Sequence, residues 1–156
     1  MYVFLSCTKS KADHRCKAEE MYSESVLFRL CLKYAKTLTE RKNIFILSAK
    51  HHVLRLSDEI VPYHNTLLDM TNEECEEWAK ICKKQMKQKG IDFNKKAIFL
   101  TGEKYYKYLK GTFRQEELPL EGKQIGYSLE WLANKVGSAN ENMLSLTDFL
   151  KSALLS

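Results

Sequence analysis

Three short apolar runs, each followed at once by polar residues, constrain the fold of this chain more than any other feature. They cover 2–6, 44–47 and 96–101, which is the usual length of a buried β-strand. Between them the apolar residues recur every three or four positions, as in a helix with one buried face. Strands that alternate with helices indicate an α/β fold. With an edge strand at 115–119, we predict a three-layer sandwich with a mainly parallel four-stranded sheet, formed by 1–156 as a single domain.

The helices have start and stop signals in the sequence. Ser23 or Ser25 is the expected N-cap of the first helix. Thr71 and Glu74 have the spacing of a capping box, and Gly90 is suited to end the helix that they begin. Helices are therefore predicted over 24–41, 71–89, 124–136 and 146–155, with a short one after the third strand. Residues 7–23 are predicted to be a polar loop, 49–70 a long irregular connection and 137–145 a linker.

The three predicted strands end in similar polar segments. Residues 6–11 are SCTKSK, 48–52 are SAKHH and 101–106 are TGEKYY. The carboxyl ends of parallel strands meet at one edge of a sheet, where α/β proteins bind their ligands. We therefore predict a site for a polar, anionic ligand at this edge. The predicted substrate-binding residues include Ser6, Cys7, Thr8, Lys9, Lys11, Tyr63 and Gly102.

The positive charge is concentrated in the part of the chain that contains this site. Residues 1–55 hold 11 Lys and Arg against 5 Asp and Glu, while residues 56–156 hold 14 against 15. The net charge of +5 thus arises wholly in the N-terminal third. Such asymmetry is typical of a surface that meets phosphate, so nucleic acid is the expected partner, DNA more than RNA. The alternative is a solvated basic helix face at 29–42.

Composition favours a cytoplasmic location. No apolar run approaches the roughly 18 residues of a membrane span, and the N-terminal run lacks the features of a signal peptide. We therefore expect no membrane partner. The five cysteines are odd in number and lack framework spacing, which favours reduced thiols.

The sequence around Cys7 is compatible with three roles for this residue: nucleophile, anion-binding group and zinc ligand. Neighbouring ammonium groups favour a thiolate nucleophile, but the same residues also suit anion binding, which we rank higher. A zinc site through Cys7, His14 and Cys16 lacks a paired CxxC, so no metal and no cofactor are expected.

The long connection and its start supply the candidates for catalysis. Asp58 is the predicted water-activating carboxylate, and Lys50 and His51 are predicted to stabilise charge. Alternatively, Asp58 is a surface residue or an ion-pair partner of Lys50 and Arg55. The tyrosines at 105, 106 and 108 would stack on a base or, more often in such helices, pack in the core.

The ordered motifs SCTKSK, MYSESVLFR, IFILSAKHHVL, VPYHNTLLDM, IFLTGEKYYKYL and PLEGKQIGYSLEWL resemble a small α/β family. That family is catalogued as a domain of unknown function and occurs in bacteria and their phages. The resemblance implies that a Cys and a Lys follow the first strand. It also implies that Tyr22 and Ser25, in a Tyr-x-x-Ser segment, belong to the site. His52 replaces a usual glycine, so a positive φ at that turn is in question.

The Cys…Lys…Tyr-x-x-Ser arrangement is also similar to a segment of archaeosine synthase, and the layout more distantly resembles the uracil-DNA glycosylase superfamily. These resemblances imply an enzyme that acts on a nucleic-acid base. The leading hypothesis is a DNA glycosylase-like N-glycosidase that removes a modified base, with an antiphage role. The alternatives are a tRNA deazaguanine-modification enzyme, with Lys9 or Lys11 as nucleophile, and a non-catalytic nucleic-acid-binding module.

Overall fold

The computed structural model describes residues 1–137, and its centre is a five-stranded sheet. Strands β1 (Tyr2–Ser6), β3 (Ile44–Ser48) and β6 (Lys96–Leu100) lie side by side and parallel, with β1 in the middle. Strand β7 (Gln115–Glu117) adds parallel to β6 at one edge, and β4 (His52–Arg55) adds antiparallel to β3 at the other. The predicted α/β fold with a mainly parallel sheet is confirmed, but the sheet has five strands rather than four. The fifth, β4, lies inside the predicted irregular connection.

Helices cover both faces of the sheet. Helices α2 (Val26–Leu38) and α5 (Ile125–Lys135) pack together on one face, and α3 (Asn72–Gln88) packs on the other. Strand β1 illustrates why two cores form, since side chains alternate between the faces of a strand. Val3 and Leu5 enter the core beneath α2, whereas Tyr2 and Phe4 enter the core beneath α3. The result is the predicted three-layer arrangement.

Two segments predicted to be irregular contain regular structure. The polar loop that follows β1 includes β2 (Cys16–Lys17) and α1 (Ala18–Met21), and the connection after β3 includes β5 (Glu59–Ile60) besides β4. Strands β2 and β5 pair antiparallel as a small second sheet. This pairing holds the two loops against each other near the carboxyl ends of the main strands. The short helix α4 (Glu103–Lys107) begins three residues after the end of β6.

The predicted helix signals are confirmed at both long helices. Ser25 caps α2 by accepting a hydrogen bond from the Phe28 N–H, and Thr71 and Glu74 form the capping box of α3. Gly90 follows α3 with a φ of 77°, the left-handed conformation that glycine adopts without strain. The linker at 137–145, apart from residue 137, and the predicted helix over 146–155 lie outside the described residues.

His52 is the residue at which the sequence left a positive φ in question. Its φ is 67°, and it is the one non-glycine residue with a positive φ in the described part of the chain. The turn between β3 and β4 therefore needs a left-handed residue, and histidine accepts that conformation at a cost.

No helix within residues 1–137 is long and apolar enough to cross a membrane.

Candidate functional site

Cys7 lies directly beyond β1, where the carboxyl ends of the three central strands meet. Its backbone N–H donates to the Leu47 carbonyl oxygen at 2.9 Å, which extends the pairing of β1 with β3 by one residue. Its Sγ lies 2.9 Å from the Tyr105 phenol oxygen on α4. The side chain is half-buried. The first strand end is thus tied to the end of β3 through its backbone and to the segment after β6 through its thiol.

A chain of hydroxyl groups runs beneath Cys7. The Tyr63 phenol oxygen lies 2.5 Å from that of Tyr22 and 2.8 Å from Ser48 Oγ, and all three residues are buried. Ser48 Oγ also accepts a hydrogen bond from the His51 N–H at 3.0 Å. The Trp78 indole N–H donates to the Ser48 carbonyl oxygen at 2.9 Å and so fixes the end of β3 from the α3 side. These hydrogen-bonded hydroxyl groups connect the loop after α1 to the loops after β3 and β5.

Burial keeps the phenols of this region protonated. It raises the pKa values of Tyr22, Tyr63 and Tyr105 well above the ordinary value of 10.0. The neighbouring Cys7 raises the pKa values of all three further. Near pH 7 the three phenols are therefore neutral groups that can donate hydrogen bonds.

Lys11 lies across the same group of residues. Its Nζ is 4.6 Å from the centre of the Tyr63 ring and donates a long hydrogen bond to the Lys9 carbonyl oxygen at 3.4 Å. Burial lowers the pKa of Lys11 below 10.5, and Cys7 opposes that shift with a smaller effect. Lys9, by contrast, is exposed. The two predicted binding lysines therefore differ: one projects into water and one packs over an aromatic ring.

His51 completes the group with an unpartnered nitrogen. Its ring meets the Tyr63 ring edge to face at 5.4 Å, and its Nε2 is buried with no hydrogen-bond partner within residues 1–137. Burial lowers the pKa of His51, with a smaller contribution from the Lys50 charge, so the imidazole is mainly neutral at pH 7. Lys50 itself is exposed. The term "rim cluster" is used below for Cys7, Lys11, Tyr22, Ser48, His51, Tyr63 and Tyr105.

A cavity of about 300 Å³ lies between the N-terminal ends of α2 and α5, and it is lined by Ser6 and Thr8 but by no residue of the rim cluster. Most of its lining is apolar. Its polar side chains come from the ends of β1 and β6 and from residues 121–128, and they include the carboxylates of Glu103 and Glu121. The Thr101 hydroxyl is buried there without a hydrogen-bond partner in the described part of the chain. Residues that line the cavity include Ser6, Thr8, Cys31, Phe99, Thr101 and Gly102. The structure thus gathers Ser6, Thr8 and Gly102, three of the predicted substrate-binding residues, at one cavity.

Asp58 and Ser25 have local roles. Asp58 lies in the turn between β4 and β5, where its Oδ2 accepts a hydrogen bond from the Arg55 N–H at 2.8 Å. Its backbone carbonyl oxygen accepts from the Ala18 N–H at 2.7 Å. Within residues 1–137, Asp58 makes no hydrogen bond or ion pair with the rim cluster. Ser25 caps α2 through Phe28, which lines the cavity, so it contributes to the site through the helix that it begins.

Sequence reasoning did not select three residues that the structure brings into the site. Ser48 and Thr101 are the polar residues that end β3 and follow β6, and Tyr105 stands in the segment TGEKYY. All three lie in the polar strand ends that predicted the site. The signal that would have found them is their position one to five residues beyond an apolar strand.

Among the described residues, no group of three or more His, Cys, Asp and Glu side chains is arranged to hold a metal ion. Cys16 is buried in β2 and His14 is exposed, where its Nδ1 lies 3.0 Å from an Asp13 carboxylate oxygen. The rim cluster therefore offers hydroxyl, thiol, imidazole and amine groups, and its chemistry is that of hydrogen-bond donors and one amine.

The model of a family of unknown function (DUF6884) matches residues 2–134. This match covers both the sheet and the rim cluster, and the chain belongs to this family. Searches of curated proteins and of solved structures found no match.

Proposed function

We propose that this protein is an enzyme that acts on a base in nucleic acid, and that its reaction is hydrolysis of an N-glycosidic bond, as in DNA glycosylases. One observation carries the proposal: a group of neutral phenols and an amine lies at the carboxyl ends of β1, β3 and β6, and Ser6 and Thr8, the two neighbours of Cys7 in sequence, line a cavity of about 300 Å³. We also propose that the substrate is a modified base in DNA, that the setting is the cytoplasm and that the role is defence against phage.

The donors suit the charge that this reaction creates. When a glycosidic bond breaks, the base leaves with the bonding electron pair, and negative charge develops on it. Preorganised donors and cations at that position lower the barrier. The raised pKa values of the Tyr22, Tyr63 and Tyr105 phenols keep their protons in place at pH 7, and Lys11 adds positive charge.

The cavity suits the substrate. An enzyme that cleaves a base from DNA must take that base out of the stack into a pocket. A volume of about 300 Å³ is at the lower end for small-ligand pockets, which suits a single base. Ser6, Thr8 and Thr101 offer hydroxyls for its polar edge. The exposed Lys9 and the basic N-terminal third provide contacts for the phosphates on either side.

Water activation is the role that we propose for Asp58, and its surroundings make that role testable. Its carboxylate has one described hydrogen bond, from the Arg55 N–H. Asp58→Asn preserves the shape and an oxygen acceptor for that bond while removing the base. If Asp58 activates water, base release by this variant falls by about 10²–10⁴-fold with the fold unchanged, the range typical of a general base. Unchanged release would leave water activation to another group.

The proposal is tested by incubating the protein with DNA that carries modified bases, including phage DNA, and measuring released base and abasic sites. The expected result is release of one class of modified base, with unmodified DNA left intact. Tyr105→Phe serves as the site variant, because it keeps the ring packed against Trp78 and removes the hydroxyl that meets Cys7. Intact glycosidic bonds across a broad panel of modified bases would refute the proposal.

A tRNA base-modification enzyme is the second candidate, and the packed amine of Lys11 is the observation that favours it. Mass spectrometry of tRNA nucleosides after incubation separates the two, since the first reaction leaves tRNA unaltered. A non-catalytic binding module would instead bind nucleic acid with a steep salt dependence and leave both substrates unchanged.

A further inference from the structure

We propose that the Nζ of Lys11 is an amine nucleophile that forms an imine with C1′ of the deoxyribose from which the base is removed. This inference rests on the proposed function, because the base hydrolysis proposed above supplies the abasic sugar on which Lys11 acts. It adds a strand-nicking lyase activity that base hydrolysis alone does not include.

The location of Lys11 is the first argument. Its side chain is half-buried and its Nζ lies 4.6 Å from the centre of the Tyr63 ring, so the amine packs against the rim cluster. It belongs to the loop that begins at Cys7, and this loop is anchored by the Ala12 N–H, which donates to the Met21 carbonyl oxygen at 2.8 Å. An amine held in this way is positioned for attack, as a freely rotating surface lysine is not.

The second argument concerns the groups that the cluster lacks. Within residues 1–137 no carboxylate lies within ion-pair distance of Lys11. An ion pair would hold the amine protonated and unreactive. Burial acts in the opposite direction and lowers the pKa of Lys11, which enlarges the fraction present as the free amine at neutral pH.

The reaction balances with groups present in the substrate and in water. Once hydrolysis has removed the base, the abasic sugar opens to its C1′ aldehyde; the neutral amine attacks C1′, the N–C1′ bond forms, and the carbonyl oxygen takes up a proton. The nitrogen then gives up one proton, and the C1′ hydroxyl takes up a proton and leaves as water, which leaves an iminium ion between Lys11 and C1′. Loss of a C2′ proton expels the 3′ phosphate, and water finally hydrolyses the imine and restores the lysine.

The test uses an oligonucleotide with a preformed abasic site, because its C1′ aldehyde condenses with an amine whether or not the protein releases bases. The full-length protein and the oligonucleotide are mixed with sodium borohydride, which delivers hydride to the iminium carbon and makes the bond permanent. Cross-linked complex is then measured on a denaturing gel, and the modified residue is found by peptide mapping.

Two variants make the result specific. Lys11→Arg keeps the positive charge over the Tyr63 ring, and hence the fold and DNA binding, but its guanidinium stays protonated and does not attack. Lys33→Arg is the matched control, since Lys33 is an exposed lysine on α2 in the same basic third of the chain. We expect adduct on Lys11 in the unaltered protein and in Lys33→Arg, and loss of the adduct in Lys11→Arg with its thermal unfolding unchanged.

Each failure has a separate meaning. No adduct on abasic DNA, an adduct that maps to another residue, or an adduct that persists in Lys11→Arg would overturn the role of Lys11. Base release without any trapped complex would do the same while leaving the glycosidase proposal in place. Adduct on Lys11 without release of any modified base would refute the glycosidase proposal and support Lys11 as the amine of a lyase.

Discussion

The hydroxyl chain beneath Cys7 makes Tyr63→Phe the most informative single substitution. The phenol oxygen of Tyr63 contacts both the Tyr22 phenol, at 2.5 Å, and Ser48 Oγ, at 2.8 Å. Phenylalanine keeps the ring, so its contacts with His51 and Lys11 are preserved and no large cavity is created. The substitution therefore removes two buried hydrogen bonds and little else.

The loss of the Tyr63 hydroxyl costs different amounts of free energy at its two hydrogen-bond partners, Ser48 and Tyr22. Ser48 Oγ keeps its hydrogen bond from the His51 N–H, so its loss is that of one bond, about 1 kcal/mol. The Tyr22 side chain is fully buried, and its close hydrogen bond, at 2.5 Å, is with the Tyr63 phenol, while Ser48 is a weaker neighbour. Leaving a buried hydroxyl unpaired costs about 1–3 kcal/mol, so we expect Tyr63→Phe to lower the free energy of unfolding by about 2.5 kcal/mol in all.

A double-mutant cycle separates the shared bond from other effects. Tyr22→Phe alone leaves the Tyr63 phenol paired with Ser48, so its expected cost is about 1 kcal/mol. In the double variant no phenol is orphaned, and the loss should be about 1.5 kcal/mol smaller than the sum of the single losses. The four proteins are compared by urea unfolding at pH 7, with the fold checked by circular dichroism.

Additive losses in the free energy of unfolding would refute the idea that Tyr22 and Tyr63 share a stabilising hydrogen bond. If the single losses sum to that of the double variant within about 0.5 kcal/mol, the two phenols share no bond of structural value. A higher free energy of unfolding in Tyr63→Phe would also contradict this idea, because such a gain would mean that the buried Tyr63 hydroxyl destabilises the fold.

Three further predictions use the same unfolding measurement. His52→Gly should raise the free energy of unfolding by about 1 kcal/mol, since glycine adopts the φ of 67° without strain, and no change would mean that the turn relaxes around histidine. Thr101→Val, which fills the same space without the unpaired buried hydroxyl, should stabilise by about 1 kcal/mol and yet slow base release. A loss of stability, or full activity, would contradict a role for this hydroxyl in binding. Burial raises the pKa of Cys31 from 9.0 to about 12, and that of Cys82 rises as well. The unfolded thiols therefore ionise first, and stability under reducing conditions should fall as pH rises above 9.0, by up to about 1.4 kcal/mol per pH unit for each thiol. A flat profile between pH 9 and about 11 would contradict this.

The sequence was most informative about the buried parallel strands. Such strands are continuous apolar runs because both of their faces are covered, and β1, β3 and β6 lie where those runs predicted them. Strand β4 has no such signal: its four residues begin with a histidine and end with an arginine. Its pairing with β3 depends on the left-handed turn at His52, and the resemblance did no more than put a positive φ at that residue in question. Strands of two residues, as in β2 and β5, carry no pattern at all.

The location of the site was predictable, but its internal contacts were not. Position beyond a strand end places Cys7 and Ser48 at one edge of the sheet. Which hydroxyl meets which depends on the loop that carries Tyr63, and the course of that loop is set by the pairing of β2 with β5. The surroundings of Asp58 also depend on the course of a loop. Its carboxylate, which was predicted to act on water, lies in a turn beside Arg55.

A count of charges in the sequence does not show which lysine belongs to the site. Lys9 and Lys11 contribute equally to the basic N-terminal third, and no sequence pattern distinguishes them. Their difference arises from Tyr63, which is distant in sequence and whose ring covers Lys11 alone. Tyr63 thus supports the hydroxyl chain through its oxygen and shields the amine through its ring. Because Phe preserves only the second contact, a Tyr63→Phe protein that unfolds more easily and still traps abasic DNA would separate the stability of the rim cluster from its chemistry.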